Sequence, residues 1–390
     1  MHYYFFRHFK MSLFKQIGRG LNREMTLVDE MGKLFPAIDV FAMSIEYLVN
    51  DMMLIVEQRV TAQLRPEEIH WVIAVPAIWS DPAKQLMKEV ASKAGIKKEQ
   101  LTIALEPEAA SMYCRHVPVD TAVDADDVTI AQFPEGTKYM ILDAGGGTID
   151  ITVHEVQDEN TLREVVAANG GGWGGIMVDK AFEDFLKELA GKDVFEQFKV
   201  QETEDWLCLQ REFEVKKREI RINSARRILM HLPASFVELC EKERKLCFTD
   251  IIALTRYAEL VEIKRDKIKI SKIVFFYLFG DPTEKTVMYV KRILNYNETK
   301  DIKAILMVGG FSESPLLQHA VKEAFPEEKV LIPSNPSSTV LRGALMFGHN
   351  PECITERILK YTYGVNTTMP FKAWRHPIEK KSGHGRWGPM

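Results

Sequence analysis

The amino-acid sequence predicts an α/β fold in two or more lobes, built from strands that alternate with helices. Two observations support this prediction. Short apolar runs typical of buried strands are followed by turns and amphipathic helices, and the order strand, glycine turn and helix occurs in both halves. The chain has 390 residues, which is too long for one ordinary hydrophobic core.

The first half carries clear helix and strand signals. Apolar residues at mixed three- and four-residue spacing predict a helix over 37–60, and WVIAVPAIW predicts a buried strand over 71–79. The Ser-Asp-Pro sequence that follows is typical of a helix start, and Gly95 is typical of a helix end. LTIAL predicts another strand over 101–105, and a helix follows it from Glu106-Pro107.

The second half begins after an acidic stretch, 118–137, that is typical of a surface loop or hinge. Its predicted segments are, in order, a strand–glycine turn–strand over 138–156, a strand that enters a glycine cluster over 163–175, a charged helical stretch over 179–227, a strand–Gly-Gly turn–helix over 304–325, and a helix over 337–348 that ends at Gly348. The segment between 228 and 300 shows no clear pattern.

Composition limits the classes of partner and location. The formal net charge is −4 and there is no basic stripe, so neither nucleic acid nor an anionic membrane is expected as a partner. The five cysteines form no CxxC pair, which favours a reducing compartment over a disulfide framework. The longest apolar run, 273–279, is far shorter than a membrane span, and the first residues lack a signal-peptide pattern. We therefore expect a cytoplasmic protein.

The sequence DAGGGTID, residues 143–150, is the most informative motif. An apolar strand precedes it, and the residues after it alternate between apolar and polar, which predicts a second strand. A dinucleotide-binding turn and a P-loop both lead from a strand into a helix, so this motif is neither. It predicts a hairpin with glycines at its tip.

Three successive glycines allow a close approach of the backbone to a ligand. The N–H groups of Gly145, Gly146 and Gly147 can face phosphate oxygens, and Thr148 adds a hydroxyl donor. Asp143, at the strand end, can hold water in the shell of Mg²⁺, which keeps several waters and takes few direct carboxylates. A tight turn that only requires positive φ angles is the alternative.

Four further segments carry weaker signals. Gly309-Gly310-Phe311-Ser312 leads from a strand towards a helix start, where a phosphate or ribose can bind, although an ordinary connection fits as well. The glycine cluster 170–175 is a candidate hinge or second phosphate-facing loop. Glu106 places a carboxylate where a strand joins a helix. The charged stretch 211–227 also fits a solvated helix face.

The order of these segments resembles the nucleotide-binding domain of the 70-kilodalton heat-shock chaperones. The segments that carry the resemblance are VPAIW with its helix, EPEAA, DAGGGTID, GGWGG, the charged helix, VGGFSES and NPSSTVLRGA. Within that family, IALEPEAASMYCR and ITERILKYTYGV are similar to the heat shock 70 kDa protein 12 subfamily. The resemblance implies the actin-like ATPase fold, with two lobes each on a ribonuclease-H-like mixed sheet and ATP or ADP with Mg²⁺ between them.

The resemblance also implies roles for individual residues. The hairpin residues 145–148 would hold the β- and γ-phosphates, and Asp143 would position magnesium-bound or attacking water. Glu106 would lie across the cleft as a second catalytic carboxylate. Ser337 stands where the chaperones usually have an Asp near the adenine, which leaves its role open. The other residues expected at the nucleotide are Gly174, Gly175, Glu214, Lys217, Arg218, Gly309, Gly310 and Ser312.

The sequence departs from the family pattern at both ends. No Asp-Gly-Thr hairpin precedes Trp71, so we expect an incomplete first lobe over 1–137, with Lys10 a conceivable match for the family's catalytic lysine. The second lobe would span 138–350 with a helical insertion at about 176–300. Residues 351–390 would begin a truncated C-terminal region, too short for the family's peptide-binding domain.

These expectations lead to one main functional hypothesis. The chain is expected to be an ATP-binding, chaperone-like protein with weak or no hydrolysis, and client or regulatory proteins are possible partners. A non-enzymatic interaction scaffold with a degenerate nucleotide site is the alternative. A sugar-kinase-like phosphotransferase shares the two-lobed fold, but no separate sugar-binding pattern is found in the sequence.

Overall fold

The computed structural model describes residues 3–15, 22–59, 64–116, 133–364, 369–375, 377–380 and 386–387. One compact unit extends to Arg357, and a second, small unit begins at Ile358. Of the predicted loop or hinge at 118–137, residues 118–132 lie outside the described residues. We call the described residues up to 116 the first lobe and residues 133–357 the second lobe.

Helices and strands alternate along most of the described chain. The helices are α1 (Lys10–Lys15), α2 (Ala37–Arg59), α3 (Asp81–Lys93), α4 (Glu106–His116), α5 (Ile176–Ala190), α6 (Lys192–Gln201), α7 (Thr203–Glu219), α8 (Ala234–Arg244), α9 (Phe248–Ala253), α10 (Lys272–Leu294), α11 (Pro315–Ala324) and α12 (Pro336–His349). The strands of the large unit are β1 (Thr26–Val28), β2 (Leu34–Pro36), β3 (Trp71–Val75), β4 (Leu101–Leu105), β5 (Lys138–Ala144), β6 (Ile149–Val156), β7 (Leu162–Gly171), β8 (Arg227–His231), β9 (Val261–Lys264), β10 (Lys267–Ser271), β11 (Ala304–Val308), β12 (Lys329–Leu331) and β13 (Ile354–Glu356).

The second lobe is built on a six-stranded mixed sheet in the order β12-β11-β5-β6-β7-β13. Strands β5, β6 and β7 form an antiparallel meander, and β11 and β12 lie parallel to β5 on its other side. This is the mixed sheet expected for the ribonuclease-H-like lobe. Strand β13 pairs with β7, so the sheet continues past residue 350.

The residues of β5 show why this sheet has two buried faces. Met140 and Leu142 belong to the core cluster that includes α5, α7 and α10. Tyr139 and Ile141, which alternate with them, pack with α4 and α12 on the opposite face. Successive side chains of a strand point to opposite faces, so a run that is apolar throughout predicts a sheet covered by helices on both sides.

The first lobe contains the parallel pair β3–β4 and the antiparallel pair β1–β2. Its core joins α2 and α3 to the end of β3. The predicted helix start is confirmed, since Ser80 is extended and Pro82 lies in the first turn of α3. The predicted glycine end is confirmed as well, because Gly95 follows α3 with φ +91°.

The two lobes meet where α12 crosses α4. A Cβ added to Gly343 of α12 would lie 1.7 Å from the carbonyl oxygen of Ala109 in α4. The two helix backbones therefore touch with no side chain between them, which only glycine permits at this position. Gly348 does not end α12 as expected, because the helix continues to His349.

The segment 176–300 differs in part from the expected helical insertion. The long helical stretch is three helices, α5, α6 and α7, and Gly191 with φ +96° separates the first two. After α7 the chain forms a three-stranded antiparallel sheet in the order β8-β10-β9. In β10, Ile268 and Ile270 are buried whereas Lys267 and Lys269, which alternate with them, are at least partly exposed, which is the two-residue period of a half-buried strand.

In the small unit, strands β14 (Met369–Pro370) and β15 (Arg386–Trp387) pair in antiparallel fashion. Among the described residues of the whole chain, no helix is both long and apolar enough to cross a membrane.

Candidate functional site

The glycine hairpin joins β5 to β6 as the sequence predicts. Its register places Asp143 directly opposite Asp150, and the N–H of Gly145 donates to the carbonyl of Thr148 at 2.9 Å. Four residues, 145–148, therefore form the tip. The tip lies at the edge where β5 and the parallel strand β11 both end, since Asp143 pairs with Val308.

The second glycine cluster is bound to the hairpin through the backbone. The N–H groups of Gly174, Gly175 and Ile176 donate to the carbonyls of Gly147, Gly145 and Gly146 at 3.2, 3.2 and 2.8 Å. A Cβ on Gly174 would lie 2.5 Å from the carbonyl oxygen of Gly145, so this contact requires glycine.

These bonds decide which polar groups the hairpin offers to a ligand. Three of its carbonyl oxygens already accept hydrogen bonds from the second cluster. Within the described part of the chain, no hydrogen bond uses the N–H of Gly146 or Gly147. Free N–H groups at a glycine-rich turn form a concavity that attracts anions, so the tip is suited to phosphate oxygens.

Three carboxylates and one lysine converge beside the hairpin. Glu106 is the first residue of α4. Its Oε1 lies 2.6 Å from Lys10 Nζ, so the two side chains form a hydrogen-bonded ion pair. Asp143 and Asp150 are both buried, and the N–H of Ile78 donates to Asp150 Oδ1 at 2.9 Å. This last bond joins the end of β3 in the first lobe to the hairpin in the second.

Burial and mutual repulsion control the charges of this group. Burial raises the pKa of Asp143 well above its ordinary value, and the charges of Glu106 and Asp150 raise it further. Burial also raises the pKa of Asp150 to about 7, with Glu106 as the next cause. Desolvation lowers the pKa of Lys10, but the charge and hydrogen bond of Glu106, together with the charges of Asp143 and Asp150, raise it overall. The three carboxylates repel one another when ionised, so a bound cation would stabilise their charged forms.

Two adjoining cavities share Lys10, Met11, Gly146 and Gly147. The smaller has a volume of about 180 Å³ and is lined by the whole hairpin tip together with Glu106 and Asp143. The larger has a volume of about 710 Å³ and extends to α5 and α7. The larger volume falls in the range of small-molecule sites, about 300–1,000 Å³.

One wall of the larger cavity is the charged helix α7. Glu214, Lys217 and Arg218 all line it, as expected from the sequence. Lys217 is buried and lies 2.5 Å from Glu214 and 2.6 Å from Asp179. Arg218 contacts Glu214 at 2.8 Å and Glu313 at 3.6 Å, which joins α7 to the turn before α11.

That turn closes against the hairpin. Gly309 has φ +85°, and a Cβ there would lie 2.4 Å from Asp143 Oδ1. Gly310 and Ser314 line the larger cavity. Ser312 lines neither cavity, because it is buried and its hydroxyl donates to the carbonyl of Val308 at 2.7 Å.

Ser337 also lies outside both cavities. Its side chain is exposed and its hydroxyl donates to Asn335 Oδ1 at 3.1 Å. The Cβ of Ser337 lies 4.0 Å from the position of a Cβ built on Gly310, so the residue borders the turn. Direct contact of Ser312 and Ser337 with a nucleotide stays a prediction, and the structure gives both hydroxyls a partner within the chain.

Comparison with known protein families decides the affiliation. The profile of the family described as Hsp70 protein matches residues 7–352. The chain belongs to the Hsp70 family. The predicted resemblance and the actin-like α/β fold class are thereby confirmed.

Individual Hsp70 relatives support the same conclusion. The chain is similar to heat shock 70 kDa protein 12A of Mus musculus, with 30% identity over 418 aligned positions that cover 95% of this chain and 62% of the relative. Heat shock 70 kDa protein 12B of Homo sapiens is 30% identical over 424 positions, covering 96% and 62%. The chaperone protein dnaK of Cyanidium caldarium is 28% identical over 306 positions, covering 76% and 42%. The chain thus spans about three fifths of the length of its two protein 12 relatives.

The sequence analysis did not predict three residues that lie in or beside this Hsp70-family site. Asp150 was seen only as a strand residue, although its register opposite Asp143 follows from a four-residue hairpin tip. Asp179 binds Lys217 across 38 positions of the chain, and no local pattern signals that contact. Trp79 lines the smaller cavity.

The carboxylate oxygens of the Hsp70-family site suit a metal ion that takes few direct protein ligands. Among the described residues, no group of three or more His, Cys, Asp or Glu side chains lies close enough to hold a metal ion directly. Asp143 Oδ2 and Asp150 Oδ2 are nevertheless buried and accept no hydrogen bond. Oxygen donors with few direct protein ligands suit Mg²⁺, which keeps much of its water shell.

Proposed function

We propose that this chain binds ATP or ADP with Mg²⁺ in the cleft between its lobes, as a chaperone-like protein that hydrolyses ATP weakly or not at all. One observation carries the proposal. A hairpin tip with unused N–H groups lies beside Lys10 and three carboxylates, and next to a cavity of about 710 Å³. Membership of the Hsp70 family supports nucleotide as the ligand.

The hairpin and the larger cavity have separate tasks in this proposal. The N–H groups of residues 145–147 and the hydroxyl of Thr148 bind the β- and γ-phosphates, because donors in a sheltered site stabilise negative charge strongly. The nucleoside occupies the larger cavity, where α7 presents Glu214, Lys217 and Arg218. Gly174, Gly175, Gly309 and Gly310 keep the backbone close to the ligand.

Asp143 is the residue proposed to hold Mg²⁺, directly or through water, with Glu106 as a second carboxylate nearby. The two buried oxygens without partners fit a cation. When bound, Mg²⁺ would neutralise phosphate charge and order the phosphates. A cation would also lower the pKa of Asp143, which burial and two neighbouring carboxylates now hold high.

Weak hydrolysis is proposed from the pairing of Glu106. A general base needs a carboxylate oxygen that is free to accept a proton from the attacking water. Glu106 is already paired with Lys10 at 2.6 Å, which opposes this role. The chain's own residues therefore bind and orient the phosphates better than they activate water.

Thermal unfolding with Mg-ATP, Mg-ADP and no nucleotide tests the binding. At a ligand concentration 100 times the dissociation constant, the folded state gains about 2.7 kcal/mol, which raises the melting temperature. Phosphate release in a single turnover then measures hydrolysis, and a slow or absent release is expected. An unchanged melting temperature with both nucleotides would contradict the proposal.

The chaperone-like role extends this proposal to client or regulatory proteins in the cytoplasm. It rests on family membership, because the matched relatives carry the names of heat-shock and chaperone proteins. Partner capture with the tagged protein, in ATP and in ADP, tests it by mass spectrometry. A nucleotide-dependent set of partners is expected, and identical sets in both nucleotides would contradict the role.

A further inference from the structure

The indole N–H of Trp79 has no hydrogen-bond partner among the described residues. The residue follows β3 in the first lobe and is 4% exposed. Its indole Nε1 is buried and makes no hydrogen bond in the described part of the chain. An indole N–H can only donate, and a buried donor without an acceptor is unfavourable, so an acceptor from outside the chain is expected.

The position of Trp79 indicates where that acceptor lies. Its side chain lines the cavity of about 180 Å³ together with Lys10, Glu106 and the hairpin tip. The ammonium of Lys10 lies 5.6 Å from the centre of the indole ring. Asp143 lines the same cavity, and its Oδ2 is also buried without a hydrogen-bond partner among the described residues.

A second tryptophan shows that an orphaned indole alone does not make a binding residue. Trp173 Nε1 is also buried, and no described residue is its hydrogen-bond partner. Its ring packs on Tyr289 with a centroid distance of 4.6 Å, and it fills the space beside Gly171. Trp173 lines neither cavity, so a ligand in the cleft does not meet it.

We propose that Trp79 Nε1–H donates a hydrogen bond to an oxygen of the terminal phosphate of ATP. The smaller cavity lies at the carboxylate and lysine end of the hairpin, whereas α7 lines only the larger cavity. A nucleoside in the larger cavity therefore directs the end of its phosphate chain towards Trp79. This inference rests on the proposed nucleotide binding and adds a first-lobe donor to the second-lobe hairpin.

Calorimetric titration of Mg-ATP and Mg-ADP into three proteins tests the inference. The Trp79→Phe variant keeps an aromatic ring and removes the donor, and it should bind Mg-ATP about tenfold or more weakly, the effect of losing one hydrogen bond to a charged group. Its affinity for Mg-ADP should change little. Trp173→Phe is the matched control, since it removes the other indole donor that lacks a partner among the described residues, away from the cavities, and it should bind both nucleotides like the wild type.

The NMR signals of the indole N–H groups distinguish a contact with the ligand from a purely structural role of Trp79. The chain has six tryptophans, and protein labelled with ¹⁵N at tryptophan gives one indole N–H signal for each. The two Phe variants assign the signals of Trp79 and Trp173. The Trp79 signal should move downfield on addition of Mg-ATP, as a newly formed hydrogen bond requires. This measurement on the wild-type protein stands even where Trp79→Phe folds poorly.

The outcomes separate this inference from the proposed function. Wild-type protein that binds Mg-ATP while Trp79→Phe binds equally well, with an unmoved Trp79 signal, overturns the role of Trp79 and leaves nucleotide binding intact. Equal weakening for Mg-ATP and Mg-ADP overturns the assignment to the terminal phosphate. Wild-type protein that binds neither nucleotide overturns both.

Discussion

Lys10 Nζ lies 2.6 Å from Glu106 Oε1 and joins the N-terminal segment to the first residue of α4, across 96 positions of the chain. Lys10 is also the cation whose charge reaches Asp143 and Asp150. One side chain therefore moderates the repulsion among three carboxylates at the phosphate cavity.

The Lys10→Ala variant tests this arrangement. Without the ammonium, phosphates would meet three carboxylates and no adjacent lysine, so the affinity for Mg-ATP should fall about tenfold or more. Titration calorimetry measures the change. Lys93 is the matched control, because it pairs with Asp39 and its side chain is 51% exposed against 53% for Lys10. Lys93→Ala lies outside both cavities and should bind like the wild type; equal losses in both variants would contradict the assignment.

A substitution at Gly146 should weaken ligand binding without changing the stability of the fold. A Cβ there meets nothing within 4 Å and its φ is not positive, so Gly146→Ala should unfold like the wild type. The residue lines both cavities, and the methyl group would occupy space that phosphate oxygens need. We expect a normal melting temperature and a strongly reduced shift with Mg-ATP.

A helical glycine provides the control for this variant. Gly280 in α10 also has nothing within 4 Å, and Gly280→Ala should leave the nucleotide shift unchanged while adding up to about 1 kcal/mol of helix stability. A full nucleotide shift in Gly146→Ala would exclude close contact between phosphate and the tip.

Gly309→Ala, unlike Gly146→Ala, should destabilise the fold, because only glycine fits the backbone at position 309. Alanine there would take up a φ near +85° and place its Cβ 2.4 Å from Asp143 Oδ1 and 2.5 Å from the carbonyl oxygen of Ala144. The backbone strain alone costs roughly 1–3 kcal/mol, and the clash adds to it. Urea unfolding should therefore show a clear loss of stability together with weaker nucleotide binding.

Gly95→Ala isolates the strain from the clash. Gly95 has φ +91° and no atom within 4 Å of an added Cβ. This variant should lose stability through strain alone and keep its nucleotide affinity. If Gly309→Ala lost no more stability than Gly95→Ala, the close approach of the turn to Asp143 would be wrong.

The stability of the nucleotide-free protein should depend on pH through Asp150. Burial raises its pKa to about 7 from the ordinary 3.8, so between these values the folded protein holds a proton that the unfolded chain has released. This contribution is fully present below about pH 4 and is lost as the pH rises to about 7, with a slope of at most about 1.4 kcal/mol per pH unit. The charged groups that act on Asp150 include Lys10 and Glu106.

Asp150→Asn should reduce the slope by the share of Asp150, because the amide does not titrate, whereas Asp143, whose pKa is also raised, keeps its own share. Urea unfolding from pH 5 to 8 without nucleotide measures it in both proteins. Asp184→Asn, at an exposed position on α5, should keep the wild-type slope. Equal slopes in wild type and Asp150→Asn would show that Asp150 is not protonated in the folded state.

Local patterns made the second-lobe sheet and its hairpin predictable. The apolar run of β5, the three glycines and the alternation in β6 each determine backbone geometry within a few residues. The same holds for α11, where Ser314 caps the helix by accepting from Leu317 N–H and Pro315 occupies the first turn. These signals are local, so no knowledge of the tertiary fold was needed.

Contacts between distant segments could not be predicted in the same way. Strand β8 pairs with β10 so that Arg227 faces Ser271. Helices α8 and α9 lie between the two strands in the sequence, so no short stretch of sequence contains both partners. The polar residues of the site have the same problem. Lys10 was a conceivable match for the family's catalytic lysine, but its contact with Glu106 is visible only in the fold.

The backbone bonds between Gly174, Gly175, Ile176 and the hairpin also set a kinetic property of the molecule. The three donated amide protons can exchange with solvent only when the hairpin separates from the start of α5. Their deuterium uptake therefore reports how often these three hydrogen bonds break. A ligand that binds the N–H groups of the tip and stabilises it will slow the exchange of these amides at the start of α5, even where the ligand does not touch the side chains of α5.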